Sequence, residues 1–320
     1  KDWLDRLGMD VPTTYDEFIE MLTRFKNEIP ECTAPYTAPG LKSTQALPEF
    51  YQGATADYVK VDGKWVDGMA QDNMLTALQN LQDAYTAGLI DQEAITNTTS
   101  SCRDEWYAGT VGCFPYWGGL WGETLTVRLK QNVPDAEVIA LPPIEGATYL
   151  YSAPSVQVIS SKLSDEQVAS VYKYFIEYMH DGGEGQVLFQ SGVEGVHWQQ
   201  SGNNIDPLPT ISKPAEAFRK AWITPWLALT PMTATDKNVE VSQEVTDSLA
   251  VVSANAKNIS VFPVSEQRTM ITSDLTTTRE NIISRVAMGQ LTPEEGMAEY
   301  KAQAETLNVA QALEEMNANA

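Results

Sequence analysis

Aromatic residues are concentrated in one stretch of the sequence, WYAGTVGCFPYWGGLW, which runs from Trp106 to Trp121. It holds six aromatic residues in sixteen positions, whereas aromatic residues make up 9% of the whole chain. An aromatic ring offers a flat apolar face, so the chemistry that these residues support is stacking against a ligand rather than bond breaking. Large aromatic residues are also mostly buried, and for Trp106 and Phe114 a place in the core is the favoured interpretation.

A strand and a glycine turn must position the remaining rings. Residues 110–114 alternate as a β-strand does, and Pro115 ends the strand because it lacks the N–H that a central strand needs. Gly118 and Gly119 then let the backbone turn. Three rings are therefore predicted to lie in a loop past the strand end, where they can face a ligand: Tyr116, Trp117 and Trp121.

The charge of the chain excludes some classes of partner. The 320 residues carry 43 acidic and 21 basic side chains, for a formal net charge of −22. Binding of nucleic acid needs lysine and arginine at the phosphates, so no nucleic acid is expected as a partner. The charge also disfavours anionic lipid and fits a neutral or cationic ligand, although solubility alone would account for it. The length is sufficient for two lobes.

Residues for metal binding or catalysis are few. The chain has two histidines, His180 and His197, and three cysteines without a CxxC pair, so no metal site and no cofactor is predicted. Cys102 and Cys113 can pair, but Cys113 alternates inside a strand and is better interpreted as a small buried apolar residue. The motifs of common hydrolases, metalloproteases and nucleotide-binding enzymes are absent.

Helix and strand signals alternate along the chain, which predicts an α/β fold. Thr14 with Glu17 forms a helix-capping pair, and residues 71–87 repeat apolar side chains at helical spacing before Gly88. Asp62–Gly63 lies between two β-favouring runs and predicts a hairpin.

The middle and the end of the chain continue this alternation. Residues 137–141 are predicted to form a strand, and residues 123–130 and most of the chain beyond about residue 212 are predicted to be helical. A helix capped at Ser164 is predicted to bury one face, which carries Val168, Val171, Tyr172, Phe175 and Met179.

Two polar loops supply further candidate contacts for a ligand. Residues 43–45 follow a proline-rich segment and can line a site, with Gln45 as the candidate contact. The loop between residues 191 and 210 supplies three more candidates, Glu194, His197 and Trp198.

Five separated segments of the chain resemble the family 1 extracellular solute-binding proteins, the sugar-binding receptors of bacterial ABC importers. The segments keep the order of the family and cover nearly the whole chain. They are KDWLDRLGMDVPTTYDEF, VDGMAQDNMLTALQNLQDAYTAGLID, EWYAGTVGCFPYWGGLW, PDAEVIALPPIEG and GEGQVLFQSGVEGVHW, of which the last is the most specific.

This resemblance implies a type II-like periplasmic-binding-protein fold, in which two α/β lobes joined by a hinge close on a carbohydrate, here expected to be an oligosaccharide. It implies that Trp117 stacks on a sugar ring, with Tyr116 and Trp121 as its neighbours. It also implies the membrane permease of an ABC transporter as a partner. The expected location is extracellular or periplasmic, with a lipid anchor that would precede this chain.

The resemblance also predicts how the chain is divided between the lobes. Family members carry most of their N-terminal lobe ahead of the residues that match KDWL. Residues 1–143 and 200–320 are accordingly expected to form the C-terminal lobe, and residues 144–199 to form one piece of the N-terminal lobe. The missing part of that lobe is expected either to have been removed from the gene product or to come from another chain.

Two other functions stay open at this point. A glycoside-active enzyme needs two carboxylates across a sugar bond, for which Glu194 with Glu123 or Asp104 is available. A binding protein for a peptide or another non-sugar solute is the second alternative. The absence of catalytic motifs favours non-catalytic binding over an enzyme.

Overall fold

The structure is a computed structural model that describes residues 1–42, 46–151, 158–208, 233–237, 242–258 and 261–320. Two predictions fall outside these residues. They are the candidate contact Gln45 and the first part of the helical segment that is predicted to begin near residue 212.

The chain forms two compact units. Unit 1 comprises Lys1–Gly118, Leu125–Ser152 and Asp247–Ala320, and unit 2 comprises Gly119–Thr124 and Ala153–Thr246. Each unit is therefore built from segments that are distant in the sequence. The assignment of residues 1–143, 144–199 and 200–320 to the lobes of a solute-binding fold stays a prediction.

Helices account for most of the regular structure. In chain order they are α1 (Asp2–Leu7), α2 (Tyr15–Glu28), α3 (Pro48–Tyr51), α4 (Asn73–Thr86), α5 (Thr99–Ala108), α6 (Leu120–Asn132), α7 (Asp165–Val171), α8 (Glu184–Ser191), α9 (Gln243–Asn255), α10 (Glu266–Ala287), α11 (Pro293–Thr306) and α12 (Val309–Ala318). A 3₁₀ turn at Gly68–Ala70 precedes α4, and a π-helical segment, Tyr172–Glu177, continues α7. Within the described residues, no helix has the length and apolar character that a membrane span requires.

The strands among the described residues are short and pair two by two. They are β1 (Ala34–Tyr36), β2 (Tyr58–Val61), β3 (Lys64–Asp67), β4 (Val111–Cys113), β5 (Leu150–Tyr151), β6 (Trp198–Ser201), β7 (Asn204–Pro207) and β8 (Lys257–Asn258). The pairs β1–β4 and β5–β8 are parallel, whereas β2–β3 and β6–β7 are antiparallel hairpins. Parallel strand pairs among helices confirm the predicted α/β class.

The residues that predict a helix cap and a hairpin from the sequence form these elements in the structure. The N–H of Glu17 donates to Oγ1 of Thr14 at 3.3 Å, and the N–H of Thr14 donates to Oε2 of Glu17 at 3.1 Å, which completes the cap of α2. Asp62 and Gly63 have φ values of 48° and 80° and join β2 to β3. Both helix cap and hairpin are confirmed, because each depends on residues that are close in the sequence.

An aromatic core fixes β1 in unit 1. The rings of Phe18, Tyr36 and Phe50 meet edge to face, with centroids 5.2 to 5.9 Å apart, and join α2, β1 and α3. Tyr36 lies opposite Cys113 in the parallel β1–β4 pair. The core therefore also fixes the point at which β4 ends and the aromatic stretch begins.

Residues 137–141 do not form the predicted strand. They belong to no strand in the described part of the chain, and Ile139 is exposed. Buried apolar residues lie on either side of this segment, at Ala136 and Ile144. An apolar alternation needs a neighbouring strand to become part of a sheet, and the sequence pattern alone does not supply one.

The face of α7 that was predicted to be buried is largely exposed. Of its five apolar residues only Met179 is buried, while Val171, Tyr172 and Phe175 are exposed. The cap at Ser164 is confirmed, because its hydroxyl accepts from the N–H of Gln167. The helix is thus predicted correctly, but its environment is not.

The three cysteines are free, so Cys102 and Cys113 do not pair. Cys102 is buried, whereas Cys32 and Cys113 are partly exposed to solvent. Burial raises the pKa of the Cys113 thiol to about 12. The thiol therefore stays protonated and unreactive at neutral pH.

Candidate functional site

A row of three aromatic rings lies at the end of β4 in unit 1. The centroid of Phe114 lies 4.9 Å from that of Tyr116 and 6.1 Å from that of Trp106, and the ring planes are tilted by 33° and 39°. Trp106 is held on α5, and its Nε1 donates to the carbonyl of Leu125 at 3.3 Å. The three rings are partly buried, so Trp106 and Phe114 take the favoured core position only in part.

Trp117 is presented to solvent beside this row. Its side chain is 58% exposed, as predicted for a ring in the loop after the strand. The next residue lies close to α9, because a Cβ at Gly118 would be 3.0 Å from Cγ2 of Val252 and 3.2 Å from Oγ of Ser248. Helix α9 therefore packs directly beneath the turn that displays the Trp117 indole.

Trp121 does not lie in the loop. Gly119 has a φ of 70° and completes the turn, and α6 begins at Leu120 rather than near Glu123. Trp121 is therefore in the first turn of a helix and is buried. Its predicted exposure in a loop is wrong, because the glycine turn is shorter than the sequence pattern indicated.

Arg103 on α5 fixes the phenol ring of Tyr116. Nη1 of Arg103 donates to the Tyr116 hydroxyl oxygen at 3.2 Å, and the guanidinium carbon lies 5.9 Å from the ring centroid. Nη2 of Arg103 donates to Oγ of Ser100, one turn earlier on α5, at 3.0 Å. Arg103 was not predicted from the sequence, because the contact joins a helix to a loop thirteen positions away.

A polar cluster lies at the carboxyl end of β1. Thr37 follows β1, and Asp91 follows Ile90, which makes a parallel bridge to Tyr36. Oγ1 of Thr37 lies 2.8 Å from Oε2 of Glu105 and 3.1 Å from Oδ2 of Asp91, and Nδ2 of Asn97 donates to the same Asp91 oxygen at 2.5 Å. Burial raises the pKa of Glu105, and the charge of Asp91 raises it further.

This polar cluster was not predicted from the sequence. A signal was available in that Thr37 and Asp91 each come directly after a short apolar run. In open α/β sheets the carboxyl ends of parallel strands are the usual edge for ligands. The Thr37 hydroxyl has one proton and can therefore donate to only one of these two carboxyl groups at a time.

The predicted contacts of the polar loop lie in unit 2. Trp198 is buried with Val187 and Ile205, and its Nε1 donates to the carbonyl of Gly192 at 2.9 Å. Nδ1 of His197 accepts from the N–H of Val193 at 2.9 Å, so the imidazole helps to build the loop. Both side chains thus have structural contacts that the sequence did not reveal.

Glu194 is the exposed member of these three candidates. It makes a β-bridge to Trp198, the first residue of the β6–β7 hairpin. This hairpin replaces part of the polar loop that the sequence predicts for residues 191–210. The structure thus groups Tyr116 and Trp117 in unit 1, and Glu194, His197 and Trp198 in unit 2. A ligand contact at each of these residues stays a prediction.

The described side chains offer stacking and hydrogen bonding rather than metal or nucleophilic chemistry. Within the described ranges no group of three or more His, Cys, Asp or Glu side chains is placed to hold a metal ion. The exposed Trp117 indole offers a flat apolar face, and the Tyr116 phenol next to it in the sequence adds a polar edge. This combination suits a ligand that has both apolar faces and hydroxyl groups.

Sequence comparison identifies a family and a curated relative. The family model described as bacterial extracellular solute-binding protein matches residues 1–179. The chain is similar to Lipoprotein LipO of Bacillus subtilis (strain 168), with 21% identity over 215 residues that cover 62% of this chain and 43% of the relative. The chain therefore spans less than half the length of this relative.

Structural comparison identifies solute-binding proteins. The alginate-binding protein AlgQ2, solved without calcium ion, is 17% identical with a TM-score of 0.68, over 99% of this chain and 70% of that chain. An HMO-binding, ABC-transporter-associated solute-binding protein from Bifidobacterium longum infantis is 15% identical with a TM-score of 0.64, over 98% of this chain and 71% of that chain. These likenesses confirm the predicted periplasmic-binding-protein-like fold.

Proposed function

Because this chain belongs to the bacterial extracellular solute-binding protein family, we propose that it captures a carbohydrate, specifically an oligosaccharide, for import by an ABC transporter. The family and the solved structures that resemble the chain are substrate-binding proteins and not enzymes. The protein therefore binds its ligand and releases it chemically unchanged.

The observation that carries the proposal is the exposed indole of Trp117. A pyranose ring has apolar C–H faces that stack on such a ring, while its hydroxyl groups need polar neighbours. Stacking would cover about a third to a half of the 150–250 Å² that an indole can bury, which is on the order of 2 kcal/mol at roughly 25 cal/mol per Å². One such contact is strong enough to contribute a tenfold or larger factor in affinity.

The names of the similar structures support a sugar ligand. They include an alginate-binding protein, an HMO-binding protein, a protein in complex with kestose and an N-glycan transport protein. Because their sequences are so different from this chain, the structural likeness shows only the fold. The chemical class of the ligand is therefore our proposal. Tyr116 is proposed as a second contact because Arg103 holds its ring in place.

The partner and the location are part of the same proposal. An imported ligand must be passed to a membrane permease, which is the partner we propose. We also propose attachment to the cell membrane through a lipid, supported by the extracellular family description and by the lipoprotein relative. The net charge of −22 agrees with a receptor that does not depend on anionic lipid for its attachment.

A thermal-shift screen against defined oligosaccharides and, in parallel, short peptides tests the class of ligand. We expect stabilisation by a subset of the oligosaccharides and by none of the peptides, since ligands that bind the folded state raise its melting temperature. Chromatography of the stabilising sugar after prolonged incubation should recover it intact. Stabilisation by peptides alone, or cleavage of the sugar at an enzyme-like rate that Glu194→Gln abolishes, would contradict the proposal.

A further inference from the structure

Helix α5 makes two contacts with the aromatic row at the end of β4. Nη1 of Arg103 donates to the Tyr116 hydroxyl oxygen at 3.2 Å. Three positions later, the ring of Trp106 lies 6.1 Å from that of Phe114, measured between centroids. Glu105 lies between the two helix residues in the sequence, and its carboxyl group faces the polar cluster at the end of β1. The position of α5 on β1 therefore affects the rings that are proposed to contact the ligand.

Burial of apolar side chains contributes little to the position of α5. The structure describes all ten residues of this helix, and among them only Cys102 is buried. Helix α4, in contrast, buries six of its fourteen residues along one apolar face. The polar contacts of α5 therefore have a large share in holding this helix in place.

The polar contact between α5 and β1 brings two carboxyl groups to one hydroxyl group. The Thr37 hydroxyl oxygen lies 2.8 Å from Oε2 of Glu105 and 3.1 Å from Oδ2 of Asp91, and the Thr37 side chain is fully buried. When both carboxyl groups are ionised, two like charges are close together and repel each other. A proton on Glu105 removes one charge and supplies an O–H that can donate to Asp91. The protonated form of Glu105 therefore favours the contact between α5 and β1.

Asp91 is the fixed member of this pair. The N–H of Glu93 donates to its Oδ1 at 2.9 Å, and Nδ2 of Asn97 donates to its Oδ2 at 2.5 Å. Asp91 is also buried, whereas Glu105 is only partly buried. An ionised Glu105 can therefore leave Thr37 and turn its carboxylate toward water.

The surroundings of the pair contain few other groups that could respond to pH. Burial raises the pKa of Cys102 on α5 and of Tyr85 on α4, so both stay neutral while a glutamate ionises. Glu93 and Asp104, the nearest acidic residues along the chain, have exposed side chains. Within the described ranges neither carboxyl group of the pair forms an ion pair with a lysine or arginine. A pH effect at this place is therefore assigned to Glu105.

We propose that Glu105 is a positioning residue for the aromatic site. In its protonated form it holds α5 on β1, and its ionisation loosens α5 together with Arg103 and lowers the affinity for the ligand. This inference rests on the proposed function, because Tyr116, which Arg103 contacts, is a proposed contact of the ligand.

The sign of the effect follows from the environment of Glu105. Burial raises the pKa of this side chain above its ordinary value, and the charge of Asp91 raises it further. The contact between α5 and β1 is therefore weakened as the pH rises through the pKa of Glu105 in the folded state. Binding and protonation are linked, so the ligand should bind most tightly at the acidic end of the pH range.

Calorimetric titration with the oligosaccharide selected in the thermal-shift screen tests the proposal. The affinity of the wild type should fall at least about threefold between about pH 5 and about pH 8. Glu105→Gln cannot ionise and its amide can still donate to Asp91, so its affinity should stay within about 1.5-fold over this range. Glu93→Gln is the matched control, because it makes the same chemical change on an exposed side chain. Its pH profile should match that of the wild type.

Hydrogen exchange of the ligand-free protein, read out by mass spectrometry, tests the same coupling without a sugar. At about pH 8, residues 99–108 of α5 should exchange at least about threefold faster in the wild type than in Glu105→Gln. At about pH 5 the two proteins should exchange at nearly equal rates in this helix. Comparison at the same pH cancels the effect of pH on the chemical exchange rate. Residues 73–86 of α4 should exchange equally in both proteins.

Three results would overturn the proposal. They are a wild-type affinity that does not change with pH, a pH profile that is the same in Glu105→Gln, and equal exchange of α5 in both proteins at about pH 8. A loss of affinity in Glu105→Gln that is the same at every pH would show a purely structural role and would also contradict it. A protein that binds none of the oligosaccharides would refute the proposed function instead, and the exchange experiment would still decide whether Glu105 holds α5 in place.

Discussion

Arg279 and Asp67 form a buried ion pair that joins α10 to the β2–β3 hairpin. Nη2 of Arg279 donates to Oδ1 of Asp67 at 2.7 Å, and both side chains are almost fully buried. Tyr300 on α11 completes the network, because its hydroxyl donates to Oδ2 of Asp67 at 2.6 Å and accepts from Nε of Arg279. Three elements that are distant in the sequence are thus held by one set of hydrogen bonds.

Removal of Arg279 is expected to destabilise unit 1 strongly. Arg279→Met leaves the Asp67 carboxylate buried without its counter-charge, which costs about 3–5 kcal/mol. The double variant Arg279→Met/Asp67→Asn should recover part of this loss, because the buried negative charge is then gone. Urea unfolding of the wild type, both single variants and the double variant measures the coupling.

Arg24 provides the matched control for this experiment. It pairs with Glu28 four residues later on α2, and the pair is exposed to solvent. Exposed pairs of this kind contribute little, because water and salt screen them. Arg24→Met should therefore leave the unfolding midpoint nearly unchanged, and an effect as large as that of Arg279→Met would contradict the role assigned to burial.

The stability of unit 1 is expected to depend on the protonation of Glu49. This side chain is buried on α3, where the Tyr149 hydroxyl donates to Oε1 at 2.9 Å and the Tyr36 hydroxyl donates to Oε2 at 3.0 Å. Burial raises the pKa of Glu49 above its ordinary value. The folded state therefore holds this proton more tightly than the unfolded state.

The sign of the pH effect follows from that shift. The protonated Glu49 side chain contributes to the free energy of unfolding. This contribution is fully present below the pKa of a glutamate in the unfolded state, and it is lost as the pH rises through the raised pKa of Glu49 in the folded state. Glu49→Gln keeps the shape and cannot ionise, so the difference in unfolding free energy between the variant and the wild type should grow in favour of the variant as the pH rises. A difference that is constant from acidic to neutral pH would show that Glu49 does not titrate.

The sequence predicts the features whose causes are local. The caps at Thr14 and Ser164 and the Asp62–Gly63 turn involve residues at most four positions apart, and all three form. The strand that ends before Pro115 also forms, as β4. The exposed position of Trp117 follows from that strand end and the glycines after it, so this exposure could be predicted as well.

The features that the sequence did not predict depend on contacts between distant segments. Trp121 and Trp198 both look like loop residues in the sequence, but one is buried in the first turn of a helix and the other is buried with Val187 and Ile205. The cluster of Thr37, Asp91 and Glu105 forms only when three separate segments meet. Periodicity reports which side of a helix is apolar but not what lies against it, which is why the face of α7 was assigned to the core.

Gly192 is expected to be required by the loop that precedes β6. It has a φ of +83°, and a Cβ at this position would lie 2.6 Å from Nδ1 of His197. Gly192→Ala combines a steric clash with a backbone conformation, φ 83° and ψ −152°, that residues with a Cβ rarely adopt and that costs on the order of 1–3 kcal/mol. Differential scanning calorimetry should show a clear loss of stability.

Gly195 is the matched control in the same loop. Its φ is +74°, but a Cβ there would have no atom within 4 Å. Gly195→Ala therefore carries the strain of a positive φ without the clash, and its loss should be distinctly smaller. Equal losses for the two alanine variants would mean that contact with His197 does not determine the need for glycine at position 192.

Trp117 and Trp198 are expected to respond oppositely to truncation. Trp117→Ala removes an exposed indole, so the melting temperature should change little, while the affinity for the oligosaccharide selected in the thermal-shift screen should fall roughly ten- to a hundredfold. Trp198→Ala removes a buried indole and the hydrogen bond to Gly192, and it should cost about 3–5 kcal/mol of stability. Calorimetric titration and thermal unfolding of both variants separate the two roles. Intact affinity in Trp117→Ala would place the sugar contact elsewhere, and a large loss of stability in this variant would identify Trp117 as a core residue.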